Sequence, residues 1–294
     1  MAVIATGFFD GVHIGHREVI GQLVASAKTR GEESMVVSFW PHPRTVLRKE
    51  ARTLRLLSSL QEKKEQLKAL GVDHVEILPF TREFASLTME EFLREYIIGK
   101  FGGTAVMIGY DNRMGSDCTD PSQLAATARR IGLEVLATSM VPSEGGWAVS
   151  STKIRAAIEA GDMESATKML GSPYTLFGVV VAGNRLGRTI GFPTANMQLY
   201  EPLKLVPANG VYLVKVDTCG EQRFGMCNIG VRPTVGSGNA RTIETNIFDF
   251  DDEIYGLDIR LTFLRHIREE REFENLAALG KQLEIDRTEC LKYI

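Results

Sequence analysis

The stretch from Thr6 to His16 combines residue types suited to phosphate chemistry: Thr-Gly-Phe-Phe-Asp-Gly-Val-His-Ile-Gly-His. It follows a short apolar run and leads into a helical pattern, so it is predicted to join a strand to a helix. A helix N-terminus offers unpaired N–H groups and partial positive charge, and glycines let the backbone approach an anion closely. His13 is one helical turn before His16, which would bring both imidazoles to one edge. The alternative is a glycine-rich turn with two incidental histidines.

Three further polar loops occur in the first half of the chain. His42 lies between two prolines, Asp111 lies in the loop at residues 109–115, and residues 150–155 read Ser-Ser-Thr-Lys-Ile-Arg. Taken singly, these segments are also explained as a rigid turn, a plain loop and a helix cap. A cap followed by a lysine and an arginine would also form an anion site at a helix N-terminus. Together the loops favour a phosphate-binding function.

The second half contains another candidate site. A glycine-dense stretch ends in Gly-Phe-Pro-Thr-Ala-Asn, where the Thr194 hydroxyl and the Asn196 amide stand beside a rigid proline. Such oxygen donors could hold a hydrated metal and phosphates, although a turn-rich hairpin is the alternative. Glu244 lies in a strand-like segment whose alternation places it on the same face as Asn246 and Phe248. An exposed glutamate on a strand is the alternative explanation of Glu244.

The elements that must position the first group of loops alternate between strand-like and helix-like segments. This pattern predicts a doubly wound, mostly parallel sheet covered by helices. Ser59 with Glu62 and Thr88 with Glu91 are predicted capping boxes. Predicted strands follow the opening one at 34–39, 74–78, 104–109 and 133–137, and predicted helices cover 16–29, 59–70, 88–98 and 121–131. Loops at the carboxyl ends of such strands converge on one crevice, so the polar loops are expected to share it.

The second half has a different pattern of predicted helices and strands. Residues 150–171 predict two short helices, and short β-rich runs then dominate, which predicts a small antiparallel barrel or sandwich. These runs cover 175–182, 211–216, 223–229, 243–249 and 258–263. Residues 272–292 are predicted to form an amphipathic helix that packs on the barrel through Phe273, Leu276, Leu279, Leu283 and Ile285. We therefore expect two domains, at 1–172 and 173–294.

Composition narrows the class of protein. A chain of 294 residues favours two domains, and 44% hydrophobic with 24% charged residues is typical of a soluble globular protein. The net charge of −3 argues against non-specific nucleic-acid binding. Four dispersed cysteines without a C-x-x-C pair indicate neither zinc nor a disulfide framework, and they suit the cytoplasm. No run approaches the roughly 20 apolar residues of a membrane span, and no signal or anchor is expected.

The first-half motifs resemble those of the nucleotidyltransferase superfamily, specifically the adenylyltransferase module of prokaryotic bifunctional riboflavin kinase/FAD synthetases. The likeness rests on residues 7–16, 41–43, 109–115 and 150–155. It implies that the FMN phosphate attacks the α-phosphorus of ATP and displaces pyrophosphate, with no covalent intermediate. It also implies that His13 and His16 stabilise the triphosphate.

The same resemblance assigns further residues to this module. Three of them would hold the leaving pyrophosphate: Ser151, Thr152 and Arg155. Others would bind the nucleotide or its phosphates: Gly7, Phe8, Asp10, Gly15, His42 and Asp111. This chain has Asn112 and Met114 where the family commonly has phenylalanine, so contacts around the adenine or the packing of this loop are expected to differ.

Residues 175–292 resemble the riboflavin kinase module of the same family. The Pro-Thr-Ala-Asn match implies that Thr194 and Asn196 coordinate Mg²⁺ and the ATP phosphates. Glu244 would be the general base that takes the proton from the ribityl 5′-hydroxyl as it attacks the γ-phosphate. The resemblance also implies two phosphate-binding glycines and a flavin-binding arginine: Gly183, Gly187 and Arg268.

The resulting hypothesis is a bifunctional enzyme with riboflavin, FMN and ATP as substrates and Mg²⁺ as the metal. It would convert riboflavin to FMN and then FMN to FAD. Two alternatives stay open at this point. One is a monofunctional riboflavin kinase with impaired adenylyl transfer, and the other is a non-catalytic flavin-binding regulatory protein. Neither membrane nor nucleic-acid partners are expected, and the number of subunits is not predicted.

Overall fold

The chain folds into two compact units, Met1–Ser151 and Thr152–Ile294. The structure is a computed structural model that describes residues 1–47, 54–108, 116–117, 121–138, 149–183, 186–232 and 240–294. None of the helices within these ranges is long and apolar enough to cross a membrane.

The first unit is built on a parallel sheet of five strands. These are β1 (Ala2–Thr6), β2 (Glu33–Trp40), β3 (His74–Pro79), β4 (Gly103–Ile108) and β5 (Glu134–Ala137). Their order is β3-β2-β1-β4-β5, with every neighbouring pair parallel. The central strand β1 is buried along its whole length, and its alternate residues enter two separate hydrophobic clusters. The predicted doubly wound parallel sheet is confirmed.

In the described part of this unit, six α-helices accompany the sheet: α1 (Ile14–Arg30), α2 (Pro43–Leu47), α3 (Leu60–Ala69), α4 (Arg82–Ser86), α5 (Met89–Phe92) and α6 (Pro121–Arg130). Both predicted capping boxes are present, Ser59 with Glu62 before α3 and Thr88 with Glu91 before α5. The helix predicted over 88–98 is α-helical only at its start, because α5 passes into a π-helical segment at Leu93–Lys100. The short helices α2 and α4 were not predicted.

The second unit is a closed antiparallel barrel. Its strands are β6 (Tyr174–Val181), β7 (Ala195–Leu199), β8 (Gly210–Thr218), β9 (Glu221–Arg232), β10 (Ala240–Ile247) and β11 (Asp258–Arg268). They close in the order β10-β7-β6-β11-β8-β9. The predicted small barrel is confirmed, but β7 and the short helix α9 (Leu186–Thr189) lie in the glycine-dense stretch and were not predicted.

Two helices precede the barrel, α7 (Ser151–Glu159) and α8 (Met163–Leu170), as predicted. Helix α8 packs against β6 and β11. This packing explains why the compact division falls near residue 151, whereas the domain boundary predicted from sequence lies at 172. The predicted boundary stays a prediction.

The C-terminal helix α10 (Leu276–Leu291) is present, but the predicted apolar face is only partly right. Leu283 packs against the hydrophobic core of the barrel, whereas Leu276 and Ile285 are 44% and 60% exposed, and Asp286 and Cys290 are buried. Phe273 precedes the helix, which begins after Asn275 as its cap. The reason is that a buried ion pair of Asp286 holds α10 together with Leu283 and Cys290, in place of a continuous apolar stripe.

Candidate active sites

The loop between β1 and α1 is tightly wound. Phe9, Gly11 and Val12 have φ values of 50°, 79° and 38°. Such angles suit glycine but strain a β-branched residue, and Val12 is also fully buried. The surrounding core therefore holds this loop in one conformation, as is typical of functional sites.

The two flanking glycines make room for aromatic rings. A Cβ at Gly7 would lie 3.0 Å from the Phe9 ring, and one at Gly15 would lie 3.4 Å from the His13 ring. The space they leave is therefore taken up at least in part by side chains of the loop itself. Their predicted phosphate contacts stay predictions.

The structure brings His13 and His16 together. Their rings stack with centroids 3.6 Å apart and planes inclined by 16°. His13 caps α1, because its Nδ1 accepts a hydrogen bond from the His16 backbone N–H at 3.4 Å. An accepting nitrogen carries no proton, so a neutral His13 ring carries its proton on Nε2.

His16 is held in its uncharged form. Burial lowers its pKa well below the usual value, and electrostatic interactions with His13 and with Lys63 lower the pKa further. Its Nδ1 atom is buried from solvent, and among the described residues it has no hydrogen-bond partner. A neutral imidazole in this place is able to donate one hydrogen bond to a phosphate oxygen.

Asp10 fastens the loop to the segment before α3. Its buried carboxylate accepts hydrogen bonds from the backbone N–H groups of Leu57 and Ser58 at 3.0 to 3.1 Å. The Ser58 hydroxyl in turn accepts from the Gly11 N–H at 3.0 Å. The Ser151 hydroxyl donates to the Asp10 carbonyl at 3.3 Å, so the structure brings predicted Ser151 to this loop. These bonds give Asp10 a structural function.

Phe8 and His42 are also brought together, with ring centroids 3.9 Å apart. Sequence reasoning missed the third member of this contact, Lys63 on α3. Its Nζ lies 3.6 Å from the centroid of the Phe8 ring and 3.4 Å from the Ser38 hydroxyl. Burial lowers the pKa of Lys63 to about 8, against the opposing effect of the Asp10 carboxylate.

Three other predicted members of this site lie outside the described residues of the first unit. Thr152 and Arg155 belong to the compact unit that begins at Thr152, in the first turns of α7. Asp111, with the whole loop at 109–115, lies outside the described residues. The functions assigned to these residues stay predictions.

In the second unit, the strand register gathers the predicted kinase residues. Glu244 on β10 lies directly opposite Asn196 on β7 and Asn228 on β9. Directly paired residues share a face with Cβ atoms about 5 Å apart, so three polar side chains form one row. The Asn246 amide donates to the Pro193 carbonyl at 2.8 Å, which ties the Pro-Thr-Ala-Asn turn to β10. Asn228 was not predicted as a site residue.

The two predicted glycines permit close packing around this row. A Cβ at Gly183 would lie 2.2 Å from the Asn196 Nδ2, and one at Gly187 would lie 2.2 Å from the Phe192 carbonyl oxygen. The Phe192 N–H also donates to the Gly187 carbonyl at 2.9 Å. A Cβ at Gly187 would therefore clash with backbone, whereas a Cβ at Gly183 would force the Asn196 side chain to move.

A cavity opens beside the row and is lined by predicted and unpredicted residues together: Gly183, Arg188, Thr194, Asn196, Asp251, Asp252 and Glu253. The acidic run at residues 251–253 comes shortly after β10, which ends at Ile247, and this run is the signal that could have identified it. The hydroxyl of Thr194 and the amide oxygen of Asn196 are hard donors of the kind that Mg²⁺ accepts beside phosphates and water. In the described part of the chain, no group of three or more His, Cys, Asp or Glu is placed to hold a metal alone. The Thr194 and Asn196 oxygens fit a divalent metal ion that is shared with a nucleotide.

Arg268, which is predicted to contact the flavin, forms an ion pair with Asp286 in this structure. Its Nε and Nη2 donate to the carboxylate of Asp286 on α10 at 2.8 and 2.7 Å, and its Nη1 donates to the Glu269 carbonyl at 2.9 Å. The side chain of Asp286 is only 2% exposed. The structure shows Arg268 joining β11 to α10, and its flavin contact stays a prediction.

Comparison with known proteins covers both units. Residues 1–153 match the FAD synthetase family, and residues 170–294 match the riboflavin kinase family. The bifunctional riboflavin kinase/FMN adenylyltransferase of Bacillus subtilis (strain 168) is 38% identical over an alignment of 299 residues. The match covers 99% of this chain and 92% of that protein. The protein of the same name from Escherichia coli (strain K12) is 35% identical over 286 residues, 97% of this chain and 90% of its own.

A solved structure also matches almost the whole length of this chain. The crystal structure of a protein described as a macrolide-efflux protein from Streptococcus pneumoniae is 33% identical, with a TM-score of 0.88. The match covers 98% of this chain and 93% of that one. Both units are therefore present together in similar chains.

Proposed function

The chain belongs to the bifunctional riboflavin kinase/FMN adenylyltransferase family, and we propose that its two units divide the chemistry between them. The second unit phosphorylates riboflavin with ATP to give FMN, and the first unit adenylylates FMN with a second ATP to give FAD. The observation that carries this assignment is that each family match falls on its own compact unit, with its own group of polar side chains. Whole-length relatives that carry both activities in their name favour it over a monofunctional kinase or a flavin-binding regulator.

In adenylyl transfer, an oxygen of the FMN phosphate forms a bond to the α-phosphorus of ATP. The bond from that phosphorus to the β-phosphate oxygen breaks, and pyrophosphate leaves with the electron pair. His13 donates from Nε2, and uncharged His16 donates one hydrogen bond, to the phosphate oxygens that gain charge. Such donors are most effective where water is excluded, and the Nδ1 atom of His16 is buried from solvent.

In the kinase reaction, Glu244 accepts the proton of the ribityl 5′-hydroxyl as that oxygen attacks the γ-phosphorus, and ADP leaves. Asn196 and Asn228 lie opposite Glu244 on the two neighbouring strands. Thr194 and Asn196 would hold Mg²⁺. When bound, the ion neutralises part of the charge on the transferred phosphate.

Product analysis tests both assignments at once. Purified protein with riboflavin, ATP and Mg²⁺ should form FMN and ADP, then FAD and pyrophosphate, and chelation of Mg²⁺ should stop both steps. If no FMN forms, the kinase assignment is wrong. If FMN accumulates without FAD, the monofunctional alternative holds. Flavin binding without ATP and without any turnover would instead identify a binding protein.

A further inference from the structure

Lys63 is an unusual residue of the first unit because its side chain is completely buried. A lysine in a protein interior loses the hydration of its charge and the rotational freedom of its long side chain. The neighbouring Lys64 on the same helix is only half-buried, so α3 does not force its lysines inward. An apolar side chain of similar length would fill the place of Lys63 without burying a charge.

The contacts of Lys63 point at the loop between β1 and α1. Its Nζ lies 3.6 Å from the centroid of Phe8, which itself packs on His42, and 3.4 Å from the Ser38 hydroxyl on β2. That hydroxyl donates to the Phe8 carbonyl at 3.3 Å. Lys63 therefore holds both the ring and, through Ser38, the backbone of Phe8.

The charged and titratable groups that interact with Lys63 come from this same loop and from α1. The Asp10 carboxylate attracts its ammonium, and the ammonium repels a proton from His16, which lies against His13. With its pKa lowered to about 8 by burial, Lys63 is charged at neutral pH and loses its proton slightly above it. In a medium of low dielectric constant, one such charge acts on its neighbours far more strongly than an exposed lysine does.

We propose that Lys63 is a positioning residue for adenylyl transfer: its buried ammonium fixes Phe8 and supplies the positive charge that draws the ATP polyphosphate onto His13 and His16. The same charge offsets the negative charge that develops on the leaving pyrophosphate. Lys63 acts from beneath the loop and does not touch the substrate. This inference rests on the function proposed for the first unit.

The test compares Lys63→Met, which removes the charge at similar length, with Lys63→Arg, which keeps it. Adenylyl transfer, assayed with FMN and ATP, should fall by about 10²-fold in kcat for Lys63→Met. Lys63→Arg should keep more activity, and the control Lys64→Met should match the wild type. FMN formation by the second unit of each variant should not change. Both tryptophans of the chain precede residue 151, and Trp40 ends strand β2, so tryptophan fluorescence reports unfolding of the first unit.

The pH profile separates a charge from a structural contact. The kcat/KM for ATP reports groups of the free enzyme, and in the wild type it should fall above pH of about 8, where Lys63 loses its proton. Lys63→Arg should lose this alkaline limb, because a guanidinium stays charged there while Asp10, His13 and His16 are unaltered.

Several outcomes overturn the inference. The first is that the wild type makes FAD and the Lys63→Met variant makes FAD at the same rate. The second is an alkaline limb that persists in Lys63→Arg. The third is a Lys63→Met variant whose first unit unfolds at a lower urea concentration, which would mean that the lysine serves the fold. A wild type that makes no FAD from FMN instead refutes the proposed function itself.

Discussion

The two sites of this chain are built for the same type of ligand by opposite means. In the first unit, the loop after β1 places His16 and Lys63 where burial shifts both pKa values downward. In the second unit, Glu244 and Asn196 are half-buried and meet because two strands pair in register beside an open cavity. The first site thus gains electrostatic strength by excluding water, whereas the second depends on alignment. Perturbations of charge and of backbone should therefore affect the two units differently.

The largest expected effect comes from removing one central residue of each site. His16→Ala should lower FAD formation by about 10²–10³-fold, because it removes a proposed donor to the phosphates. Glu244→Ala should lower FMN formation by about 10²–10⁴-fold, because it removes the proposed general base. Adenylyl transfer must be assayed with FMN supplied directly, so that loss of the kinase does not starve it. Equal loss of both activities in either variant would contradict the separation of the two sites.

The next effect concerns the packing on which the second site depends. Asp286→Ala leaves Arg268 unpaired at a position only 19% exposed, and it should lower the free energy of unfolding of the barrel by about 3 kcal/mol. Hydrogen exchange of the barrel amides measures this loss. The tryptophan fluorescence transition of the first unit should not move.

Helix α10 offers a matched control for this ion pair. Arg287 pairs with Asp249 at 2.7 Å, but the two side chains are 39% and 82% exposed. Arg287→Ala should change barrel protection very little, because solvent screens an exposed pair. If both variants destabilise the barrel equally, burial of the Asp286 pair is not what matters.

A smaller effect is expected from the backbone approach at the second site. Gly183→Ala would place a Cβ 2.2 Å from the Asn196 amide, so Asn196 must move away from its position beside Glu244. Kinase activity should fall by about 10 to 100-fold while adenylyl transfer is unchanged. Gly280→Ala in α10 is the control, because a Cβ there meets nothing within 4 Å. Unchanged kinase activity in Gly183→Ala would show that the alignment of Asn196 is not critical.

Features that depend on neighbouring residues were predictable. The two capping boxes need only a residue and its third successor, and the His13 and His16 pair needs only one helical turn. The parallel sheet followed from the alternation of segment types. In contrast, β7 has no visible period, and it becomes a strand because it pairs with β6 and β10.

Features that depend on distant partners were not predictable. Alternation gave the face of Glu244, but only the fold shows that Asn196 and Asn228 flank it. Asp286 would be expected on the exposed side of α10 until Arg268 is known to lie opposite. The burial of Lys63 is the exception, because the sequence does indicate it. Lys63 lies three residues after Leu60 and four before buried Leu67, which is the helical spacing of a core position.

The smallest expected effect sharpens the contrast between buried and exposed sites through pH. The pKa of His16 in the folded chain lies well below its ordinary value of 6.5. Below pH of about 6.5, the unfolded chain therefore binds a proton at His16 that the folded chain does not bind. The stability of the first unit should therefore decrease as the pH falls from about 7 toward 5. His16→Gln, which carries no titrating group, should weaken this dependence. Urea unfolding followed by tryptophan fluorescence measures it, and identical pH dependence in both proteins would show that His16 is not held uncharged by the fold.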